Sequence, residues 1–168
     1  LTSLGKMLGI NSHLTAKEWL SQPHAVVFAV VYDKASDRWL VRRRKAQPMY
    51  DYVGFLHFEP VHSSDSNALA TSIMADRVGL ADTSFEPRGY GYSRLSHDGA
   101  LQSFTTFNVL VSTKYTGDIS VQTETGETYW ASYDELVKEP KLLPTMLPIL
   151  DKLRESQDIF YLDMDSNV

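Results

Sequence analysis

Short strand-like runs around one long helical segment constrain this chain more than any other feature of its sequence. Residues 66–78 contain neither proline nor glycine and are followed by Gly79, the pattern of a helix and its C-cap. Runs rich in β-branched and aromatic residues predict strands at residues 24–32, 39–41, 52–58, 86–95, 101–115 and 128–131. Turn-rich segments after the first and fourth runs predict two β-hairpins. We therefore predict an α/β (α+β) domain with a mixed β-sheet sandwiched between helices.

Two shorter helices are predicted towards the end of the chain. Ser132 has the residue type and the position of an N-cap for a helix near residues 133–137. Pro144 stands where a last helix, running to about residue 155, would begin, because proline is favoured in the first helical turn. These helices follow the last predicted strand and would cover one face of the sheet.

The chain divides into three predicted parts. Thr15 and Glu18 have the spacing of a capping box, which predicts that residues 1–22 are an N-terminal helical extension. Residues 23–158 form the main domain, because 168 residues with 43% hydrophobic side chains suffice for one sizeable core. Residues 159–168 are acidic and are predicted to be a frayed C-terminal tail.

Charge and composition exclude several classes of function. The 16 lysines and arginines against 21 acidic residues leave a net charge of −5, so nothing favours nucleic acid as a partner and an anionic ligand needs a local basic cluster. The longest apolar run, residues 25–32, is too short to cross a membrane, which predicts a soluble protein. The absence of cysteine fits a cytoplasmic location. No serine-nucleophile motif or phosphate-binding glycine loop is present.

Four stretches together resemble the Nudix hydrolase family over residues 24–153. They are similar to the family's first hairpin with its basic end, to the opening and the helix of its Nudix box, and to its late acidic residue, tryptophan strand and helix start, at residues 25–44, 54–60, 68–80 and 127–136. The resemblance implies the Nudix fold. It also implies a pyrophosphatase-type hydrolysis of a nucleoside diphosphate linked to another moiety, with Mg²⁺ or Mn²⁺ as cofactor.

The Nudix box is degenerate where the family places its acidic residues. Counting back from Gly79, the family's Arg-Glu-x-x-Glu-Glu falls on residues 72–77, which read Ser-Ile-Met-Ala-Asp-Arg, and its upstream glutamate falls on Ser64. Positions 73, 76 and 77 share one helical face, where the family's carboxylates bind the metal. Only Asp76 is acidic here and Arg77 opposes a cation, so the sequence leaves enzymatic activity open.

Other side chains near the box are candidates for a rebuilt metal site. For an active enzyme we predict the catalytic residues Asp76, Glu59 and Glu127, and the metal ligands Asp76, Glu59, Asp65 and Glu124. His57 and His62 are alternative ligands of a transition metal, since with Glu59 they form His-x-Glu-x-x-His. Solvated surface acids and a half-buried histidine are the structural alternatives for the same residues.

A basic run and several tyrosines are candidates for ligand binding. Residues 42–45 read Arg-Arg-Arg-Lys, and only half of such a run can enter a cleft, because successive side chains on a strand face opposite sides. We predict that a nucleotide-type small molecule contacts Arg42, Arg44, Tyr52 and Arg77, with Arg77 supplying positive charge in place of a metal. Solvated edge-strand charges and tyrosines at the core rim are the structural alternatives.

Two classes of function stay open at this point. The first is a metal-dependent hydrolase of a nucleoside diphosphate linked to another moiety. The second is a catalytically inactive Nudix-like module that binds a nucleotide or a protein partner and needs no cofactor. An isomerase of this fold has less support because the chain has no cysteine. A homodimer is a further open alternative.

Overall fold

The computed structural model describes residues 22–61 and 65–168. These residues contain eight strands and three helices. In chain order they are β1 (His24–Asp33), β2 (Arg38–Arg44), β3 (Val53–Gly54), β4 (Leu56–Phe58), α1 (Ser66–Arg77), β5 (Glu86–His97), β6 (Ala100–Ser112), β7 (Gly126–Ala131), α2 (Tyr133–Val137), α3 (Met146–Glu155) and β8 (Phe160–Asn167). The predicted helix with Thr15 and Glu18 lies outside these residues. No helix within them is long and apolar enough to cross a membrane.

The strands form one mixed sheet. Its order is β3-β2-β1-β6-β5-β8, with β4 paired to β1 and β7 paired to β2. The pairs β1–β6 and β5–β8 are parallel, whereas the other pairs are antiparallel. The β1–β2 and β5–β6 pairs are the two hairpins that the sequence predicts, and both predictions are confirmed.

Helices pack on both faces of the sheet. Strand β1 serves both cores because its successive side chains point to opposite faces: Ala29 lies in the core under α1, and Val30 lies in the core under α3. Helix α1 buries Ala70 and Met74, while α3 buries an apolar stripe of Met146, Ile149, Leu150 and Leu153. The predicted mixed sheet between helices is therefore confirmed.

The capping signal in the sequence predicts the beginning of α2 correctly, whereas α3 begins two residues later than Pro144. The Ser132 hydroxyl accepts a hydrogen bond from the Glu135 backbone N–H, and the Glu135 carboxylate accepts one from the Ser132 N–H at 2.8 Å. Helix α3 begins at Met146 rather than at Pro144. The backbone before it is bonded to strand β3 instead, through a bond from the Leu143 N–H to the Val53 carbonyl at 2.9 Å.

Residues 160–167 form strand β8, so the prediction of a frayed tail is wrong. The strand pairs with β5 from Gly89↔Phe160 to Ser96↔Asn167. Phe160 and Met164 are buried, whereas the acidic residues take the exposed positions, where Arg94 pairs with both Asp163 and Asp165. The acidic composition thus hid an alternation of apolar and polar residues. The division of the chain into three parts stays a prediction.

Candidate functional site

A cavity of about 200 Å³ lies between the end of β2, strands β3 and β4, and helix α1. Its walls are largely apolar, with Gly54, Phe55, Leu56, Ile73 and Leu143. Its polar lining consists of three arginines, a histidine and a threonine: Arg42, Arg44, Arg77, His57 and Thr125. No aspartate or glutamate of residues 22–61 and 65–168 lines this arginine-lined cavity. A site with this lining suits an anion.

Strand alternation divides the basic run of β2 between two sides. Arg42 and Arg44 enter the cavity. Arg43 faces the other way, and its Nη2 lies 2.6 Å from the Glu139 carboxylate. The hydrogen bond from Arg43 lowers the pKa of Glu139, which keeps this pair charged. Arg43 is therefore neutralised within the protein, whereas Arg42 and Arg44 face the cavity.

Two threonines hold the Arg42 guanidinium in place. Its Nη2 donates to the hydroxyls of Thr123 and, at 2.8 Å, Thr125. Gly126 makes room for the side chain, because a Cβ there would lie 2.2 Å from the Arg42 Nε. Burial lowers the pKa of Arg42, and the neighbouring charges of Arg77 and Arg44 lower it further. The guanidinium is thus preorganised beside two other positive charges.

The other two arginines are also free of ion pairs in the described part of the chain. The Arg44 Nε donates to the Pro48 carbonyl at 2.9 Å, and burial lowers the pKa of Arg44. Arg77 is the last residue of α1 and is exposed. No carboxylate of the described residues lies within 4.0 Å of either guanidinium. All three charges are available to a ligand.

His57 lines the cavity as a neutral imidazole at pH 7. Its ring packs edge-on against Phe28, with 6.4 Å between the ring centroids, and its Nδ1 lies 3.5 Å from the Phe55 carbonyl oxygen. Desolvation lowers the pKa of His57 below its usual value of 6.5, and the charges of the three arginines add to this effect. A neutral imidazole offers a ligand one donor and one acceptor.

Helix α1, which corresponds to the helix of the Nudix box in the resemblance, supplies an isoleucine and an arginine to the cavity where the resemblance implies carboxylates. Ile73 and Arg77 line the cavity. Asp76, the third position of that face, is exposed, does not line the cavity and lies 3.5 Å from the Ser72 hydroxyl. This helix face therefore presents positive rather than negative charge to the cavity.

Among the described residues, the remaining acidic side chains predicted as catalytic residues or metal ligands do not gather around the cavity. Asp65 caps α1, where its Oδ1 accepts a hydrogen bond from the Asn67 N–H at 2.9 Å. Glu59, Glu124 and Glu127 are exposed and do not line the cavity. His62 and Ser64 lie outside the described residues.

A divalent cation does not fit this set of side chains. Within residues 22–61 and 65–168, no group of three or more histidine, aspartate and glutamate side chains could hold a metal ion. Mg²⁺ and Mn²⁺ need oxygen ligands, whereas the cavity offers guanidinium groups. The catalytic and metal-binding roles of Asp76, Glu59, Asp65, Glu124 and Glu127 stay predictions, and so do the alternative ligands His57 and His62.

The cavity also differs from the sequence-based set of ligand-binding residues. Tyr52 does not line it and contributes only its backbone carbonyl, which accepts a hydrogen bond from the Arg44 N–H at 2.8 Å. Thr123, Thr125 and Gly126 were missed. They carry no motif of their own, and only the pairing of β2 with β7 brings them to the arginines.

Comparison with solved structures places this architecture among known folds. A mutator MutT protein from Bacillus halodurans superposes with a TM-score of 0.68 at 15% identity, over 84% of this chain and 89% of its own. A MutT NUDIX hydrolase from Burkholderia pseudomallei gives 0.64 at 17% identity, over 79% and 98%. The NUDIX domain of Shewanella oneidensis NrtR, complexed with ADP ribose, gives 0.64 at 12% identity, over 92% and 98%.

These similarities concern structure alone. No protein-family model and no curated protein sequence matches the chain. The architecture is an α+β domain with one mixed sheet between helices. It is the Nudix fold, as the resemblance of the sequence implied.

Proposed function

We propose that this protein binds a diphosphate-bearing small molecule of the nucleotide type in the arginine-lined cavity, as a binding module rather than as a metal-dependent hydrolase. The observation that carries this proposal is the meeting of Arg42, Arg44 and Arg77 in one cavity that no acidic side chain of the described residues lines. Guanidinium groups match the oxygens of phosphate and hold them by paired hydrogen bonds.

The size of the cavity indicates which part of the ligand it holds. Pockets for whole small molecules usually measure roughly 300–1,000 Å³. A cavity of about 200 Å³ suits a diphosphate group, with the rest of the ligand extending beyond it. The NUDIX domain of Shewanella oneidensis NrtR was solved with ADP ribose, which supports a ligand of this type.

The residues of the cavity favour binding over chemistry. Arg42 is already held by Thr123 and Thr125, so little side-chain freedom is lost when a ligand binds. Burial lowers the pKa of Arg42 and the charges of Arg77 and Arg44 lower it further, so a bound diphosphate would offset both effects. Neutral His57 can add one hydrogen bond.

Calorimetric titration of the whole chain with ADP-ribose, ADP and pyrophosphate, in the presence of EDTA, tests this proposal. We expect metal-independent binding that Arg77→Gln weakens by about tenfold or more, since a hydrogen bond to a charged group contributes roughly 1.5–3 kcal/mol. Lys138→Gln is the matched control, because Lys138 is exposed, lies outside the cavity and forms no ion pair within the described residues.

Two outcomes would contradict the proposal. One is the absence of binding to all three probes, or equal binding by the two variants. The other is turnover of the probes with Mg²⁺ or Mn²⁺ that EDTA abolishes, which would support the hydrolase that the resemblance implies.

The cytoplasm is the location that we propose, because the chain has no cysteine. A homodimer stays a prediction.

A further inference from the structure

A second cavity, of about 510 Å³, lies towards the opposite end of strand β2. It opens between the β1–β2 turn, the start of β5, the end of β6 and the end of α3. Four cationic side chains line it: Lys34, Arg88, Lys114 and Arg154. The described residues add two carboxylates to the lining, Asp37 and Glu86, so it carries an excess of positive charge. Within the same part of the chain, this second cavity shares no lining residue with the arginine-lined cavity.

Unpaired positive charge is concentrated in the two cavities. Within residues 22–61 and 65–168, every lysine and arginine that forms no ion pair lines one of them, except Lys138. The protein has a net charge of −5, so carboxylates are abundant enough to pair with these groups. The fold instead leaves four cations facing one cavity, where an anionic ligand would complete their pairing.

Arg88 is the strongest single indication of a ligand. It is only 9% exposed, and its guanidinium donates to the Gln157 side chain at 3.2 Å and to the Ser156 carbonyl. Its Nε is buried without a hydrogen-bond partner, and no carboxylate of the described residues lies within 4.0 Å of it. A buried charge is costly unless a counter-charge accompanies it.

Glu86 is an exposed carboxylate without an ion pair in the described residues, whereas the other charged groups of the second cavity are held or free in a way that suits an anion. The Tyr32 hydroxyl donates to the Asp37 carboxylate at 2.6 Å, so this acid is already engaged. The Arg154 guanidinium lies over the Tyr133 ring, 3.7 Å from its centroid, which orients it without neutralising it. Lys34 and Lys114 are exposed and can close on a ligand from outside.

We propose that the second cavity binds a multivalent oxyanion, a phosphate ester or a polycarboxylate, at a site separate from the arginine-lined cavity. Buried Arg88 supplies the fixed charge of this site. Arg154, Lys34 and Lys114 supply the charges at its rim. The inference does not depend on the proposed function, since it concerns different residues.

Amide NMR spectra of the whole ¹⁵N-labelled chain, titrated with inorganic phosphate and separately with citrate at constant ionic strength, locate each binding event. The amides of Ser84 and Thr113 report on the second cavity, and those of His57 and Ile73 report on the arginine-lined cavity. We expect saturable shifts at Ser84 and Thr113. Saturation by phosphate alone assigns a phosphate ester, and saturation by citrate alone assigns a polycarboxylate.

Charge variants test which residues hold the anion. We expect Lys34→Gln combined with Lys114→Gln to weaken the binding seen at Ser84 and Thr113 by about tenfold or more, because two charge-assisted contacts are lost. Both lysines are exposed, so the core is untouched and the spectrum itself reports on folding. Lys138→Gln should leave the binding unchanged.

The inference is overturned if neither anion gives saturable shifts at Ser84 and Thr113, or if the double variant binds as tightly as the unchanged protein. Shifts confined to His57 and Ile73 would also overturn it while supporting the proposed function. Shifts confined to Ser84 and Thr113 would support the second cavity and count against anion binding in the first.

Discussion

Arg77, at the end of α1, and Arg42, on strand β2, line the same cavity, where burial lowers the pKa of Arg42 and the charge of Arg77 lowers it further. The resemblance to Nudix hydrolases implies a carboxylate at position 77, where it would attract a cation. The arginine found there repels one. Position 77 of α1 therefore offers a ligand a positive charge, where the resemblance implies a negative one.

Acidic residues placed on α1, at the positions where the resemblance implies them, should create a metal-binding site. We predict that Ile73→Glu combined with Arg77→Glu binds Mn²⁺, because with Asp76 three carboxylates then share one helical face. The unchanged protein should bind Mn²⁺ weakly or not at all. Electron paramagnetic resonance of free Mn²⁺ measures both. Equally tight Mn²⁺ binding by the unchanged protein would contradict this and would favour the predicted carboxylate ligands.

The two threonines that bond to Arg42 should raise ligand affinity by fixing the position of its guanidinium. We predict that Thr123→Val combined with Thr125→Val weakens ADP-ribose binding by about threefold to tenfold, since each lost hydrogen bond is worth roughly 0.5–1.5 kcal/mol. Calorimetry measures the change. Thr105→Val is the control, because its hydroxyl bonds to the Ser93 carbonyl and it lines neither cavity. Unchanged affinity in the double variant would contradict a role of these threonines in preorganising Arg42.

Anion binding should strengthen as the pH falls through the pKa of His57. That pKa lies below 6.5, so the imidazole is neutral at pH 7, and its protonation adds a fourth positive charge beside Arg42, Arg44 and Arg77. Sulfate is the suitable probe because its own charge is constant over this range. His57→Gln should flatten the pH profile of sulfate affinity. A profile that is the same with and without His57 would contradict the prediction.

The same histidine should lower the stability of the ligand-free protein in mild acid. Its pKa is lower in the folded state than in the unfolded state, so the unfolded state takes up the proton first. The free energy of unfolding should therefore be highest above pH 6.5 and fall as the pH drops from 6.5 towards the folded-state pKa of His57. Urea unfolding at several pH values, compared with His57→Gln, measures this. A loss that is identical in the variant would come from other groups.

Strand β8 should contribute to the stability of the domain. Phe160 is 8% exposed and its ring fills the space above Gly89, where a Cβ would lie 2.2 Å from the ring. We predict that Phe160→Ala lowers the free energy of unfolding by about 3–5 kcal/mol. Tyr161→Ala is the matched control, since the neighbouring ring is 49% exposed. Equal unfolding midpoints for the two variants would mean that β8 is not an integral strand.

Local patterns in the sequence determined most of the secondary structure. The apolar run of β1, the capping box from Ser132 to Glu135 and the break at Gly79 act across a few neighbouring residues, and the structure contains each of them. The order of these elements also predicted a mixed sheet between helices, because each element must bury one apolar face.

Which side chains meet was decided only by the tertiary structure. Alternation predicts that half of the basic run of β2 enters a cleft, but the pairing of β2 with β7 selects Arg42 and Arg44 and brings Thr123 and Thr125 to them. The acidic end of the chain likewise forms strand β8 because it pairs with β5. The choice of partner among strands that are distant in the sequence depends on the whole sheet, so a local pattern alone does not encode it.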